Sequence, residues 1–519
     1  MSAIGALGSA SMLGEPAPGT ATAAQTVHLY DVFELHLEGP ASGNPYLDRT
    51  LGATFSQGNR SVTVDGFYDG GSTYRIRFMP DTAGQWTYTI TANFTTSARN
   101  GTLLCLPARP GVHGPVRVAN GHHFRHADGT AYFPFGTTCY GWTHQGDTLE
   151  EQTLATLQTS PFNKIRMCLF PKSYQYNHNE PKFYPFERPA GTPLTQPGDV
   201  TRFDPAYWAH LEQRIGQLRD LHIEADLILF HPYDRWGFAS MPAEADDRYV
   251  RYLVARLGSF SNVWWSLANE FDLMKAKSTT DFTRLLRLVQ QADPYQHLRS
   301  IHYSKYMYDY ASPLVTHASL QTYEFSKASE WLAAWRKPVI FDEAMYEGNL
   351  NSRWGNLSGE EMTRRFWLGI IAGCYVTHGE TYFPEPGSAP EEVIWWSKGG
   401  TLHGTSPARI GYLRSLLESL APQGLEGATE PYYLNATAGS AILYYFDFHQ
   451  PAEYEVPLGE QHYTAEVVDP WAMTSTPLPG TFTGKAKVPL PGKPYSALLF
   501  RTAIAGVLGA AGGADGRST

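Results

Sequence analysis

Hydrophobic positions follow three different patterns along the chain. Residues 28–107 alternate apolar and polar positions in short runs such as TYRIRFMP and GQWTYTITANF, with the turn clusters DGGS and PDTAG between them. This alternation is typical of strands with one buried face, so the segment predicts a small β-sandwich. Residues 428–502 return to short alternating runs, among them SAILYYFDF and YSALLFR, and predict a second β-sandwich.

Between these segments, strand-like apolar runs alternate with amphipathic helical segments. Eight runs predict strands, in chain order AYFPFGTTCYGW, FNKIRMCLF, IEADLILF, NVWWSLANE, LRSIHYS, VTHASLQ, KPVIFDEAM and AGCYVTHGETYF. One intervening segment has apolar residues three or four positions apart on a single helical face, namely Trp208, Leu211, Ile215 and Leu218. Such alternation predicts an α/β fold, and eight repeats favour a (β/α)8 TIM barrel. The runner-up is an open doubly wound sheet, which is weaker because no Gly-rich phosphate turn follows the first strand.

These patterns divide the chain into five predicted parts. They are a flexible leader at 1–27, an N-terminal β-sandwich at 28–112, a (β/α)8 catalytic barrel at 113–425, a C-terminal β-sandwich at 426–502 and a disordered tail at 503–519. The Gly/Ala-rich tail has too little apolar surface to order itself. The leader has no basic segment before its weak apolar stretch, so we do not interpret it as a signal peptide and expect a cytoplasmic protein.

Composition and charge exclude several classes of partner. The net charge is −10 without a Lys/Arg run, which argues against binding to nucleic acid or to an anionic membrane. No apolar stretch reaches the roughly 18 residues that a membrane span needs. The four Cys lack metal-ligand spacing and are expected to be buried free thiols. Abundant Trp and Tyr suit stacking on sugar rings, although they suit ordinary packing as well.

Polar and aromatic residues concentrate where the predicted strands end. In a barrel of this class the active site lies at the carboxyl ends of the strands. The candidates there, in chain order, are Trp142, His144, Arg166, His231, Asp234, Trp236, Asn269, Glu270, His302, His317, Gln321, Glu343, His378, Glu380 and, after the last strand, Trp396. Taken singly, each His and Trp is nearly as well explained by packing, and Arg166 by neutralising a neighbouring charge. Together they predict a charged, aromatic-lined mouth.

Glu270 and Glu343 are the strongest pair among these candidates. Each follows a strongly apolar run, at the ends of the fourth and seventh strands, so both side chains are expected to be rigid and partly desolvated. Hydrolysis of a glycosidic bond needs such a pair, with one carboxylic acid protonating the leaving oxygen while the other stays ionised. The alternative is a purely structural role, in which each carboxylate forms a salt bridge at the rim of the barrel.

Two other functions compete with this interpretation. A metal-dependent barrel hydrolase would hold its metal with His and Asp at strand ends, but the first strand shows no HxH pattern, so we expect neither metal nor cofactor. A non-catalytic carbohydrate-binding protein is the second alternative, and it leaves the paired carboxylates without a purpose.

The NE at the end of strand 4, with a second Glu at the end of strand 7, resembles the large clan A of retaining (β/α)8 glycoside hydrolases. The resemblance implies that Glu270 is the acid/base and Glu343 the nucleophile. It also implies that Arg166, late in strand 2, supports the nucleophile. An aromatic residue late in strand 8 is usual in the clan; here that place reads THGETY and leaves His378, Glu380 or Tyr382 as candidates.

A closer resemblance covers residues 28–502. The segments GFYDG, RIRFMPDTAGQW, GTTCYGWTHQ, ADLILFHPYDRWGF, NVWWSLANEFDLM and WWSKGGTLHGTSPARI are similar to those of a bacterial family that joins a clan-type barrel to N-terminal and C-terminal β-sandwiches. Some relatives with a similar barrel act on apiosides. In the clan an aromatic residue on strand 6 usually orients the nucleophile, and Tyr323 or Gln321 are the candidates for that role.

The sequence thus predicts a retaining glycosidase that forms a glycosyl-enzyme on Glu343. Arg166 and Asn269 are expected to position the nucleophile and the sugar 2-hydroxyl. The His- and Trp-rich loops favour a pocket, and therefore exo action on a short oligosaccharide or glycoside, either a pyranoside or an unusual furanoside. The expected partner is a carbohydrate substrate, and the flanking sandwiches are compatible with a homo-oligomer.

Overall fold

The computed structural model describes residues 25–96, 99–383, 394–420, 424–429, 434–439 and 441–503. Residues 1–24 of the predicted leader (1–27) and 504–519 of the predicted tail (503–519) lie outside these ranges, while residues 25–27 of the predicted leader belong to a strand, Gln25–His28. Within them, no helix combines the length and the apolarity that crossing a membrane requires. The four Cys are buried and free, as the sequence predicted.

The N-terminal region is a two-layered β structure. Its elements are β1 (Gln25–His28), β2 (Phe33–Glu38), the helical turn α1 (Pro45–Asp48), β3 (Leu51–Gln57), β4 (Arg60–Asp65), β5 (Phe67–Tyr68), β6 (Thr73–Phe78), β7 (Gly84–Ala92) and β8 (Asn100–Leu106). The strands form sheets in the orders β1-β8-β7-β3-β4 and β2-β6-β5. The alternating apolar residues face inward, where Phe55, Phe78 and Trp86 pack ring against ring.

A short antiparallel sheet leads into the barrel. It consists of β9 (Val116–Ala119), β10 (His123–His126) and β11 (Ala131–Tyr132). The ring of Phe124 lies 5.3 Å from that of Trp264 and 5.5 Å from that of Tyr375, between centroids. Since both partners lie near the starts of barrel strands, this sheet covers the amino-terminal end of the barrel with apolar surface.

Eight parallel strands of the described residues form the barrel. They are β12 (Gly136–Thr138), β13 (Lys164–Cys168), β14 (Glu224–Phe230), β15 (Val263–Ala268), β16 (Arg299–Ser300), β17 (Ala318–Leu320), β18 (Val339–Phe341) and, after the short β19 (Glu347–Gly348), β20 (Tyr375–His378). Their order is β16-β15-β14-β13-β12-β20-β18-β17, and a bridge between His302 and Ser319 joins the two ends. The predicted (β/α)8 barrel is confirmed, and each strand lies within its predicted run.

Helices surround this barrel. They are α2 (Asp147–Thr159), α3 (Pro205–Asp220), α4 (Ala243–Leu257), α5 (Thr279–Ala292), α6 (Ala328–Trp335), α7 (Gly359–Ile371) and, after the short strand β21 (Glu380–Thr381), α8 (Trp395–Lys398) and α9 (Ser406–Leu420). The predicted apolar face of α3 is fully buried. Helix α7 begins with Ser358, whose hydroxyl accepts a hydrogen bond from the Glu361 backbone N–H at 3.3 Å and so satisfies one unpaired donor of the first turn.

The C-terminal region is an antiparallel sheet that folds over its own core. Its strands are β22 (Glu426–Thr429), β23 (Leu434–Ala438), β24 (Ala441–Tyr445), β25 (Glu453–Asp469), β26 (Thr474–Pro477), β27 (Phe482–Pro489) and β28 (Ala497–Thr502). The long β25 pairs with β27 in its first half and with β28 in its second. Both halves contribute to a core that includes Phe446, Val456, Val488 and Phe500. Antiparallel sheets therefore flank the barrel on both sides, as predicted.

Candidate active site

A pocket of about 340 Å³ opens at the carboxyl ends of the barrel strands. This is where parallel βα units place their loops and the residues that follow each strand. Of the residues predicted from sequence, those that line the pocket are Asn269, Glu270, Gln321, Tyr323, Glu343 and Trp396. The two carboxylates that follow strands β15 and β18 therefore lie in one cavity.

Glu270 follows β15 with a left-handed backbone, at φ +47° and ψ +52°. A non-glycine residue in this region is uncommon, and the conformation turns the side chain sharply out of the strand direction. The carboxylate is buried and held on both oxygens, since the Tyr233 hydroxyl donates to Oε2 and the Gln321 amide donates to Oε1 at 3.2 Å. Its position is therefore fixed before any ligand binds.

Glu343 follows β18 and receives donors from two other strands. The Tyr140 hydroxyl, just beyond β12, donates to Oε1. The guanidinium of Arg166, from β13, has Nη1 3.6 Å from the same oxygen. A cation and a hydroxyl donor on one carboxylate oxygen favour its ionised form.

Asn269 connects the two carboxylate environments. Its side-chain oxygen accepts from Arg166 Nη2 at 3.1 Å and lies 3.3 Å from the Tyr140 hydroxyl, whose single proton is directed to Glu343. The Arg166 donor fixes the orientation of the amide, so the NH2 group is the part of Asn269 that can bind a ligand in the pocket.

A buried layer of charge beneath the pocket holds Arg166. Lys164 Nζ lies 2.9 Å from both Asp226 Oδ2 and Asp342 Oδ1, and Arg166 Nε lies 3.7 Å and 3.9 Å from the same two oxygens. Burial alone would raise the pKa of Asp342, but Lys164 and then Arg166 outweigh it and hold that pKa well below its usual range. The guanidinium is thus locked between anions on one side and the pocket on the other.

The two pocket carboxylates influence each other's charge. Burial, and then the negative charge of Glu270, raise the pKa of Glu343 to about 7. Arg166, the Tyr140 hydrogen bond and Lys172 act in the opposite direction. The ionisation of Glu343 therefore depends on the balance between Glu270 and these three neighbours.

Several predicted residues lie behind the pocket instead of on it, and the structure corrects their expected location. His144 and His231 face backbone carbonyls, of Cys168 at 3.3 Å and Phe170 at 3.1 Å. Trp142 is fully buried. Trp236 is buried as well, and its indole N–H donates to Glu180 at 3.0 Å.

Asp234 belongs to the same group, because it serves the turn that follows β14. Its carboxylate accepts the backbone N–H groups of Trp236 and Ala239, each at 2.7 Å. Both carboxylate oxygens of Asp234 therefore stabilise this turn, whereas the sequence predicts that they bind sugar hydroxyls.

Three predicted His side chains and one Glu are also buried away from the pocket. His302, His317 and His378 are inaccessible to solvent, and burial lowers the pKa of His317 and His378 to about 3 and that of His302 well below its ordinary value, so all three are neutral. Glu380 accepts the backbone N–H groups of His403 at 2.5 Å and Gly404 at 2.8 Å, which fixes the loop before α9.

The structure places other groups at the positions left open on strands 6 and 8. Gln321 contacts Glu270, while the donor to Glu343 is Tyr140 from strand 1. Trp396, from α8, supplies the aromatic wall that the THGETY segment does not. Tyr382 instead contacts Glu347, with 3.4 Å between its hydroxyl and Oε1.

The remaining wall of the pocket is made of residues that sequence reasoning missed. They are Tyr140, Lys172, Tyr174, Tyr233, Ser304, Thr322, Met345, Tyr346 and Trp354. Most lie one to five residues beyond a strand end, and Tyr140, Lys172 and Tyr233 do so in the motifs GTTCYGW, LFPK and FHPYD. The sequence signal for them is the recurrence of Tyr shortly after strands, which overall composition does not show.

Metal ligands do not cluster in the described part of the chain. No three His, Cys, Asp or Glu side chains there come together in a way that would hold a metal ion. The polar groups of the pocket are carboxylates, amides, hydroxyls and one ammonium, which suits a polyhydroxylated ligand.

A (β/α)8 barrel that holds two carboxylates in one pocket, at the ends of strands 4 and 7, has the fold and the site of a barrel glycosidase. Residues 118–421 match the family described as the apiosidase-like catalytic domain, and the chain belongs to this family. Residues 26–93 and 431–501 match two domains of unknown function, DUF5060 and DUF5605. No functionally curated protein matches the chain.

Solved structures show the same architecture. A candidate glycoside hydrolase from Bacteroides vulgatus is 40% identical, with a TM-score of 0.87, over 92% of this chain and 100% of that one. A family 5 glycoside hydrolase from the same organism is 15% identical, with a TM-score of 0.58, over 75% of this chain and 94% of that one. The second likeness shows the fold alone.

Proposed function

We propose that the protein is a retaining glycosidase of the clan A type, with Glu343 as the nucleophile and Glu270 as the acid/base. The observation that carries the proposal is the unequal surroundings of two carboxylates in one pocket. Arg166 and the Tyr140 hydroxyl contact Glu343, whereas the described residues that hydrogen-bond Glu270 are the neutral side chains of Tyr233 and Gln321. Cationic surroundings favour the carboxylate that must stay ionised.

In the first step Glu270 acts as the carboxylic acid and donates its proton to the glycosidic oxygen. Glu343 Oε attacks the anomeric carbon, the bond to the leaving group breaks, and a glycosyl-enzyme ester forms. Glu343 loses its negative charge when the ester forms. It regains that charge when the ester breaks in the second step, and Arg166 and Tyr140 then stabilise the departing carboxylate. The NH2 group of Asn269 is placed to bind the sugar hydroxyl next to the reacting carbon.

In the second step Glu270, now ionised, accepts a proton from water. The water oxygen attacks the anomeric carbon, the ester bond to Glu343 breaks, and the net configuration is retained. Tyr233 and Gln321 hold Glu270 in one place through both steps, which the exchange of roles requires.

The dimensions of the pocket support a small substrate. Its volume of about 340 Å³ is at the lower end of the roughly 300–1,000 Å³ that ligand sites occupy. We therefore propose exo action on a short oligosaccharide or glycoside. The family description supports testing furanosides such as apiosides beside pyranosides.

The test begins with a screen of aryl pyranosides and furanosides, followed by NMR of the first anomer formed. A product of retained configuration is expected, and an inverted one would exclude the double displacement. Glu343→Ala is expected to abolish turnover, while Glu270→Gln is expected to slow substrates with poor leaving groups by about 10²- to 10⁴-fold and activated ones much less. The matched control is Glu380→Gln, a buried strand-end carboxylate outside the pocket, which is expected to retain activity.

A further inference from the structure

Lys172 is a buried cation in the wall of the pocket. Its ammonium lies 3.6 Å from the ring centroid of Tyr140, 4.6 Å from that of Tyr233, 4.7 Å from that of Trp396 and 5.5 Å from that of Tyr174. Among the described residues, none forms a hydrogen bond or an ion pair with it. The aromatic rings hold the charge in place, and its three N–H donors remain available to a ligand.

The charge of Lys172 is not balanced by a contacting anion. Burial lowers the pKa of Lys172, while the charges of Cys168, Glu343 and Glu270 oppose that change and Arg166 reinforces it. Burying an ammonium without an acceptor is costly, and ring faces compensate only in part. A ligand that brings an acceptor would complete the site.

Two neighbouring groups also have hydrogen-bond donors that no described residue accepts. Trp396 Nε1 and the Tyr346 hydroxyl are buried, line the pocket and make no hydrogen bond of acceptable geometry in the described structure. Their rings lie 5.8 Å apart between centroids, and Trp396 also belongs to the cage around Lys172. One side of the pocket therefore holds a cation beside two donors that are shielded from solvent.

We propose that this side of the pocket binds the carboxylate of a uronic acid, so that the glycosides the enzyme accepts are acidic ones. A carboxylate accepts several hydrogen bonds and pairs with an ammonium, and it matches a wall of donors around one positive charge. A neutral hydroxymethyl group at the same place would leave Lys172 without a counter-ion. The inference rests on the proposed function and specifies its substrate class.

The acidic groups of the pocket determine how such a sugar lies. Glu270 and Glu343 would repel a second anion, so the sugar carboxylate turns toward Lys172 and its anomeric carbon toward the glutamates. In this orientation Lys172, which recognises the substrate, and the two glutamates, which react with it, lie at different sides of one cavity.

Binding by calorimetry tests the inference independently of turnover. Glucuronate and galacturonate are compared with glucose and galactose on the wild-type protein. A charge-assisted pair predicts that at least one uronate binds about 10- to 100-fold more tightly than its neutral counterpart. Lys172→Met is expected to remove the preference, Lys172→Arg to retain part of it, and Lys182→Met, at an exposed lysine, to leave it unchanged.

A second measurement covers the case in which Lys172→Met fails to fold. On the wild-type enzyme, kcat/KM for aryl uronides is compared with that for the matching neutral glycosides, and the uronides are expected to be preferred. Equal binding of uronate and neutral sugar, binding of neither uronate, or a preference that survives in Lys172→Met overturns the inference. If only neutral glycosides are hydrolysed, the uronate inference is overturned and the glycosidase proposal stands. If uronates bind but no glycoside is hydrolysed, the uronate site stands and the glycosidase proposal is overturned.

Discussion

The hydroxyl of Tyr140 is a single group on which the proposed charge distribution depends. It donates to Glu343 Oε1 from a buried ring. Tyr140→Phe deletes the donor and keeps the ring, including the face that Lys172 contacts. A hydrogen bond to a charged group contributes about 1.5–3 kcal/mol. At about 1.4 kcal/mol for each factor of ten, kcat/KM is expected to fall about 10- to 150-fold.

The same deletion changes the pH dependence. Burial and then Glu270 raise the pKa of Glu343 to about 7, and the Tyr140 hydrogen bond opposes that rise. Without it, the pKa is expected to lie about one to two pH units higher, at about 1.36 kcal/mol per unit. The nucleophile must be ionised, so activity is present above this pKa and lost as the pH falls through it. The acidic limb of the kcat/KM profile therefore moves to higher pH.

Initial rates on an aryl glycoside across pH measure both effects. The matched control is Tyr249→Phe, which removes a buried hydroxyl that donates to the Leu229 carbonyl at 3.1 Å, away from the pocket. The control is expected to lose a little stability and to keep the wild-type pH profile. If Tyr140→Phe keeps the wild-type acidic limb and the wild-type kcat/KM, then the contact does not govern the ionisation of Glu343 and the reasoning is refuted.

Three further predictions concern stability, and urea denaturation measures each. Lys164→Met leaves Asp226 and Asp342 without their ammonium and is expected to lower the free energy of unfolding by about 3–5 kcal/mol; an unchanged value would contradict the charge layer. Ser358→Ala removes the cap of α7 and is expected to cost about 1 kcal/mol. Burial raises the pKa of Glu380 from 4.5 to about 8, so the folded state retains a proton and stability falls as pH rises through that window. Glu380→Gln is therefore expected to gain stability relative to wild type as pH rises from about 5 to about 8, and a constant difference would contradict this.

The barrel could be predicted from sequence because its strands are short, mainly apolar runs and its helices are apolar on one face. Runs such as IEADLILF are typical of strands in a buried parallel sheet. The apolar residues of α3, spaced three and four positions apart, predict its buried face. The lengths of the strands were harder to predict from the sequence than their positions. LRSIHYS contributes only Arg299–Ser300 as β16, because the backbone beyond it leaves the ladder to form loops.

The site was predictable where a residue's place depends on the strand alone. Glu270 and Glu343 are the second residues after β15 and β18, so knowing the strands was sufficient to place them at the mouth. Lys172 and Tyr233 lie further along their loops, and their direction depends on tertiary packing that no local pattern encodes. The buried His residues were misplaced for a related reason, since period-two alternation does not tell which face of a barrel strand looks inward.

The left-handed backbone at Glu270 has a consequence for how the protein responds to selection. Holding a non-glycine residue there costs about 1–3 kcal/mol, and the buried carboxylate adds a desolvation penalty. Asn tolerates the conformation better and carries no charge, so Glu270→Asn is expected to melt at a higher temperature than wild type while losing catalysis. Thermal robustness and turnover are then opposed at a single position, and a library sorted for heat resistance alone would drift toward inactive proteins.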